Sequence, residues 1–185
     1  MHYNLLDPKR CALLVIDPQD RLLKAVEKPE RVIKNTILLI HTCKIMNMPI
    51  IATTQYKKGL GDITEEIKEL LQGFPCLDKT EFNALSNPGI QSEMKNLPVS
   101  VDTLIITGVE AHICVYQTAI AAKLQGLTPW VVTDAISSRE KRNIASTITR
   151  LNSLRINCGP AEMAVYELIK KAGTNEFKQI VRYVK

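Results

Sequence analysis

The chain has 185 residues, 45% of them apolar and 23% charged, with a formal net charge of +5. That size suits one domain with a sizeable core, here taken as 1–185, and no apolar run reaches the roughly 18 residues of a membrane span. Five cysteines (11, 43, 76, 114 and 158), an odd number with no C-x-x-C pair, exclude a disulfide framework and read as free thiols in a reducing compartment.

The first expected element is a strand over 11–17. Five apolar residues, Ala12-Leu-Leu-Val-Ile, end in Asp17 and then in Pro18, which cannot continue a ladder. A helix over 29–47 follows, with Pro29 at its start, where a missing N–H costs little. A strand over 49–54, a helix over 62–72, a possible strand over 74–79 and a helix over 88–96 come next. The run Thr103-Leu-Ile-Ile-Thr107 predicts a strand over 103–108. It leads straight into a helical pattern over 113–125 that stops at Gly126. A strand over 129–134, a helix over 139–154, a short strand over 156–158, a helix over 160–172 and a last helix from about 175 complete the chain. Alternating strands and helices imply a parallel sheet with helices on both faces.

Three of these elements end in residues that carry chemistry. Cys114 falls in the first turn of a helix that begins where a strand ends. Unpaired N–H groups and the positive end of the helix dipole lie there, and both favour a thiolate. Cys114 is therefore expected to be the most reactive thiol. Asp17 stands at the C-terminal end of a strand, the edge at which parallel α/β sheets bind ligands. Lys79, in Cys76-Leu-Asp-Lys79-Thr-Glu-Phe82, gains meaning only in combination: a nucleophilic thiol needs a base for its proton and a cation to favour its anion.

Asp17, Lys79 and Cys114, in that order and context, resemble the triad of the isochorismatase-like cysteine hydrolases. The resemblance runs over nearly the whole chain. It includes Asp17-Pro-Gln19, the Lys79 loop, Gly108-Val-Glu110-Ala-His112-Ile-Cys114-Val and the late strand Val131 to Ser138. It is nearest to the isochorismatase-domain proteins of animals and trypanosomatids, which carry stretches similar to Tyr56-Lys-Lys-Gly59-Leu-Gly61. The resemblance implies a doubly wound sheet of six parallel strands. It also implies a cis peptide between Val109 and Glu110, and an oxyanion hole made by the backbone N–H groups of Glu110 and Cys114. The implied reaction is hydrolysis of an amide, carbamoyl or related C–N bond through a thioester.

Where related nicotinamidases bind a metal, this chain reads Thr53-Thr54-Gln55-Tyr56, and His2, His41 and His112 are scattered. No metal and no other cofactor are expected. Gln19, Tyr56, Phe82, Glu110 and Tyr116 are the candidate substrate-binding residues; Glu110 beside the nucleophile suggests a cationic or amide-bearing small molecule. The positive charge is spread over helical patterns without an aromatic-basic stripe, which argues against nucleic acid as a partner. An opening without a basic region ahead of an apolar core shows no signal peptide, so a cytoplasmic location is expected. Val115, Ile120, Ala121 and Leu124 form an apolar stripe for the sheet. Tyr116, Ile144, Ile148 and Leu151 add more apolar surface than one small domain covers, which predicts a homo-oligomer. The alternatives are a non-catalytic binding or scaffold protein and a nucleic-acid-acting protein.

Overall fold

Six strands, β1 (Cys11–Ile16), β2 (Ile50–Gln55), β3 (Cys76–Lys79), β4 (Thr103–Val109), β5 (Thr128–Ser137) and β6 (Asn157–Gly159), form one sheet in the order β3-β2-β1-β4-β5-β6. Every neighbouring pair is parallel. The computed structural model describes residues 5–184, so His2, the first four residues and Lys185 lie outside the description.

β1 sits in the middle, and all six of its residues are buried. A strand covered on both faces cannot alternate polar and apolar residues, which is why it reads as a continuous apolar run. Its side chains still alternate in direction. Cys11, Leu13 and Val15 join one core with α2 (Pro29–Ile45), α4 (Glu65–Leu70), α8 (Ala161–Ile169) and α9 (Asn175–Val184). Ala12, Leu14 and Ile16 join the other with α5 (Pro88–Asn96), α6 (Tyr116–Leu124) and α7 (Lys141–Ser153). The doubly wound architecture expected from the sequence is present.

Two short helices, α1 (Asp20–Leu23) and α3 (Lys57–Leu60), were not expected; four residues are too few to display a helical period. The expected helix over 62–72 shrinks to α4 because its first residues are tied elsewhere. Thr64 N–H donates to the Pro18 carbonyl at 2.9 Å, and Ile63 bridges Gln19. The expected helix over 113–125 divides into a π-turn, Ala111–Val115, and α6. The apolar stripe is corrected too. Val115, Ala119 and Ala122 face the sheet, Ile120 and Ala121 are half-buried, and Leu124 at the helix end is 82% exposed. Small alanines at the contact let α6 approach the sheet closely. Ile144 and Ile148 are also half-buried, whereas Leu151 is in the core.

Gly108 of β4 stands opposite Ile16 of β1. Its φ is +118°, and a Cβ at that position would lie 1.9 Å from the carbonyl oxygen of Ile16 on β1. Only a residue without a side chain lets β4 pass β1 here before turning toward Cys114. Gly108→Ala is therefore expected to destabilise the protein by about 3 kcal/mol or more, read as a lowered urea midpoint; an unchanged midpoint would show that the β1–β4 edge can relax.

Candidate active site

Asp17 directly follows β1, Lys79 is the last residue of β3, and Cys114 lies in the turn that follows β4. All three stand at the C-terminal edge of the sheet. The chain winds outward from β1 through β2 to β3, then returns to lay β4 on the other side of β1. The edge between β1 and β4 is thus the switch point, the position at which parallel α/β sheets bind ligands.

Neighbouring strands lie about 4.8 Å apart, so β1 and β3 are separated by roughly 10 Å across β2. A lysine is long enough to cross that gap. Lys79 reaches over β2 and donates to Asp17 Oδ2 at 2.7 Å, and both side chains are fully buried. Thr53 of β2, beneath this span, donates its hydroxyl to Asp17 Oδ1 at 2.6 Å. Gln55 Oε1 accepts a second Lys79 N–H at 2.6 Å, and Cys114 Sγ lies 3.9 Å from Lys79 Nζ. Asp17 takes a φ of +51°, and its backbone N–H donates to the Thr53 carbonyl at 3.1 Å.

The peptide between Val109 and Glu110 is cis, as the resemblance implied. The π-turn follows, with Val115 N–H donating to the Glu110 carbonyl at 3.3 Å. The Asp17 carboxylate and the Glu110 backbone both act on the Cys114 thiol, and Lys79 Nζ lies 3.9 Å from its sulfur. The expected low thiol pKa is corrected here. Burial, and then the Asp17 charge, push Cys114 up to about 12, outweighing the Lys79 charge and the Glu110 N–H, which act the other way. The resting group is a protonated thiol under the influence of the Asp17 carboxylate. Cys76, by contrast, is the exposed thiol of the five.

The five candidate binding residues divide. Glu110 lies at the thiol through its backbone, but its carboxylate is not free for a cation. Arg139 Nε pairs with Oε1 at 2.8 Å, Arg139 N–H donates to Oε2 at 3.3 Å, and His112 Nδ1 lies 3.7 Å from Oε2. Gln19 is fully buried with both ends of its amide engaged by backbone: Oε1 accepts from Gln55 N–H at 2.7 Å, and Nε2 donates to the carbonyls of Gly61 at 2.6 Å and Gln55 at 3.1 Å. Tyr56 and Phe82 are about half exposed on the loops after β2 and β3. The Tyr116 hydroxyl accepts from Arg150 of α7 at 3.3 Å and does not join the three residues. Thr53, Gln55, Arg139 and Ser138, whose Oγ lies 2.9 Å from His112 Nδ1, were missed as participants. Only strand register marks Gln55, which stands directly opposite Lys79.

Asp17→Asn removes the charge that raises the thiol pKa, so Cys114 is expected to react with iodoacetamide at pH 8 at least about threefold faster; Lys79→Met removes the opposing charge and slows it. Peptide mapping separates Cys114 from Cys76. Equal rates in all three proteins would show that neither charge acts on the sulfur.

Residues 11–159 match the isochorismatase domain family. The chain is 29% identical over 175 residues to zebrafish (Danio rerio) isochorismatase domain-containing protein 2, covering 95% of this chain and 87% of that protein. Among solved structures it resembles the MAR1 ribonuclease of Caenorhabditis elegans, with a TM-score of 0.90 and 29% identity over 97% of this chain and 92% of that one. It likewise resembles the Escherichia coli YcaC gene product, described as an octameric hydrolase of unknown specificity, with a TM-score of 0.91 and 26% identity over 99% of this chain and 90% of that one. With this sheet order, this turn after β4 and these likenesses, the chain belongs to the isochorismatase-domain family of hydrolases.

Proposed function

We propose that the protein hydrolyses an amide, carbamoyl or related C–N bond of a small molecule, with Cys114 as nucleophile, Asp17 as general base and acid, and Lys79 as the cation that balances them. The observation that carries this reading is a buried thiol 3.9 Å from a buried ammonium that is itself paired with a buried carboxylate. A buried ion pair is weak evidence of stability, since apolar residues of similar volume often serve as well. A scaffold has no use for one beside a thiol. A hydrolase does.

The step begins with transfer of the Cys114 proton to Asp17. The site's net charge does not change, because the pair Asp⁻/SH becomes AspH/S⁻ beside the same ammonium. The sulfur attacks the carbonyl carbon, and the C=O electrons move to oxygen. The backbone N–H groups of Glu110 and Cys114 would hold that oxyanion. The tetrahedral intermediate collapses, the C–N bond breaks, and Asp17 returns the proton to the leaving nitrogen. Water, deprotonated by Asp17, then cleaves the thioester to a carboxylic (or carbamic) acid and the free thiol. No metal or other cofactor is needed for any of these steps.

The E. coli neighbour's octamer and the half-buried Ile120, Ile144 and Ile148 support a homo-oligomer. The C. elegans neighbour's name raises ribonuclease activity as a second reading. It requires RNA binding that weakens steeply with salt, whereas the buried charges here already neutralise one another.

Incubation with a panel of amides and carbamoyl compounds is expected to give turnover that Cys114→Ser abolishes, and an acyl adduct on Cys114 visible by intact mass. Turnover that survives Cys114→Ser overturns the assignment. Light scattering is expected to give a mass of at least twice 20.7 kDa; a monomer mass at micromolar concentration removes the oligomer.

A further inference from the structure

We infer that Gln55 is a positioning residue for this reaction: it fixes the Lys79 ammonium so that two of its N–H groups are held and the third faces Cys114. The inference rests on the roles proposed above for Lys79 and Cys114.

An ammonium has three N–H donors and no acceptor. Lys79 spends one on Asp17 Oδ2 at 2.7 Å and one on Gln55 Oε1 at 2.6 Å, and the remaining contact is Cys114 Sγ at 3.9 Å. With Asp17 alone, the ammonium could turn about its Cε–Nζ bond or slide onto the carboxylate, because nothing else would define where the other two donors point. Two acceptors define the third direction.

The orientation of the Gln55 amide is set by its surroundings. Its Nε2 donates to the Thr80 carbonyl at 2.9 Å, and a carbonyl only accepts. The oxygen must therefore face Lys79, which only donates. The backbone of Gln55 is held in turn by the Gln19 amide through both its N–H and its carbonyl. The Gln19 amide thus acts at one remove, from β1's end to β2's end to the ammonium. This explains why a fully buried glutamine follows Asp17 without touching the thiol.

The choice of glutamine over glutamate also follows. A carboxylate at this place would set a second anion on Lys79, draw the ammonium's charge away from the sulfur and repel the Thr80 carbonyl. Gln55 holds the cation without competing for it.

The test is the rate of Cys114 alkylation by iodoacetamide at pH 8, read by peptide mapping. Gln55→Glu, nearly isosteric, is expected to raise the thiol pKa by about one unit and slow alkylation about threefold, the loss of thiolate being partly offset by its greater nucleophilicity. Below the titration of the introduced carboxyl group the effect is expected to vanish, because the protonated acid can donate to Thr80 and accept from Lys79 as the amide does. A merely structural role would not follow that titration. Gln55→Leu removes the acceptor and is expected to slow alkylation by less than Lys79→Met. If Lys79→Met slows Cys114 while Gln55→Glu matches the wild-type rate at every pH, Gln55 has no positioning role. If Lys79→Met is also without effect, the roles of Lys79 and Cys114 fail and the inference falls with them. Gln55→Glu settles the matter even if Gln55→Leu does not fold.

Discussion

The ion pair between Asp17 and Lys79 organises this end of the molecule. Two opposite charges, both fully buried, can be tolerated only when each also has its remaining hydrogen-bonding capacity met. Thr53 serves the carboxylate, and Gln55 serves the ammonium. Because Asp17 directly follows β1 and Lys79 ends β3, the pair exists only when β2 lies between the two strands in register. The sheet order and the charge centre depend on one another.

A thiol added to that pair meets competing influences. Burial and the carboxylate hold the proton on sulfur; the ammonium and the Glu110 N–H favour its loss. The first two prevail in the resting protein. A thiol of this kind spares the site from casual alkylation and oxidation, which act on thiolates, and needs only a short internal proton shift when a carbonyl is at hand. In the proposed hydrolysis, activation of Cys114 is then a property of the loaded site rather than of the free one.

The Glu110 side chain occupies the other flank. Its pairing with Arg139 and its neighbour His112, itself beside Ser138, tie the turn after β4 to the loop after β5. The cis peptide, the π-turn and Gly108 all lie within this same stretch, so the backbone that presents Cys114 is fixed from both sides. The half-exposed Tyr56 and Phe82 stand on the loops that follow β2 and β3, on the Lys79 side.

The sequence by itself determined the elements and the placement of Asp17, Lys79 and Cys114 at one edge of the sheet. Apolar β-branched runs, proline and glycine stops and the helical period are local signals, and they located all six strands and the seven longer helices to within a few residues. Asp17 and Cys114 were legible from their places after apolar strands, and Lys79 only in combination with them. What only the tertiary structure decided concerns relations between distant residues. The partnering of Gln55 with Lys79, the capture of Glu110 by Arg139 and the use of Gln19 as a backbone clamp depend on which strands lie side by side, and no local pattern carries that. The thiol pKa is the sharpest instance. The helix N-terminus beside Cys114 is visible in the chain and favours a thiolate, but burial and a carboxylate from nearly a hundred residues away reverse the outcome, because desolvation and charge act through space.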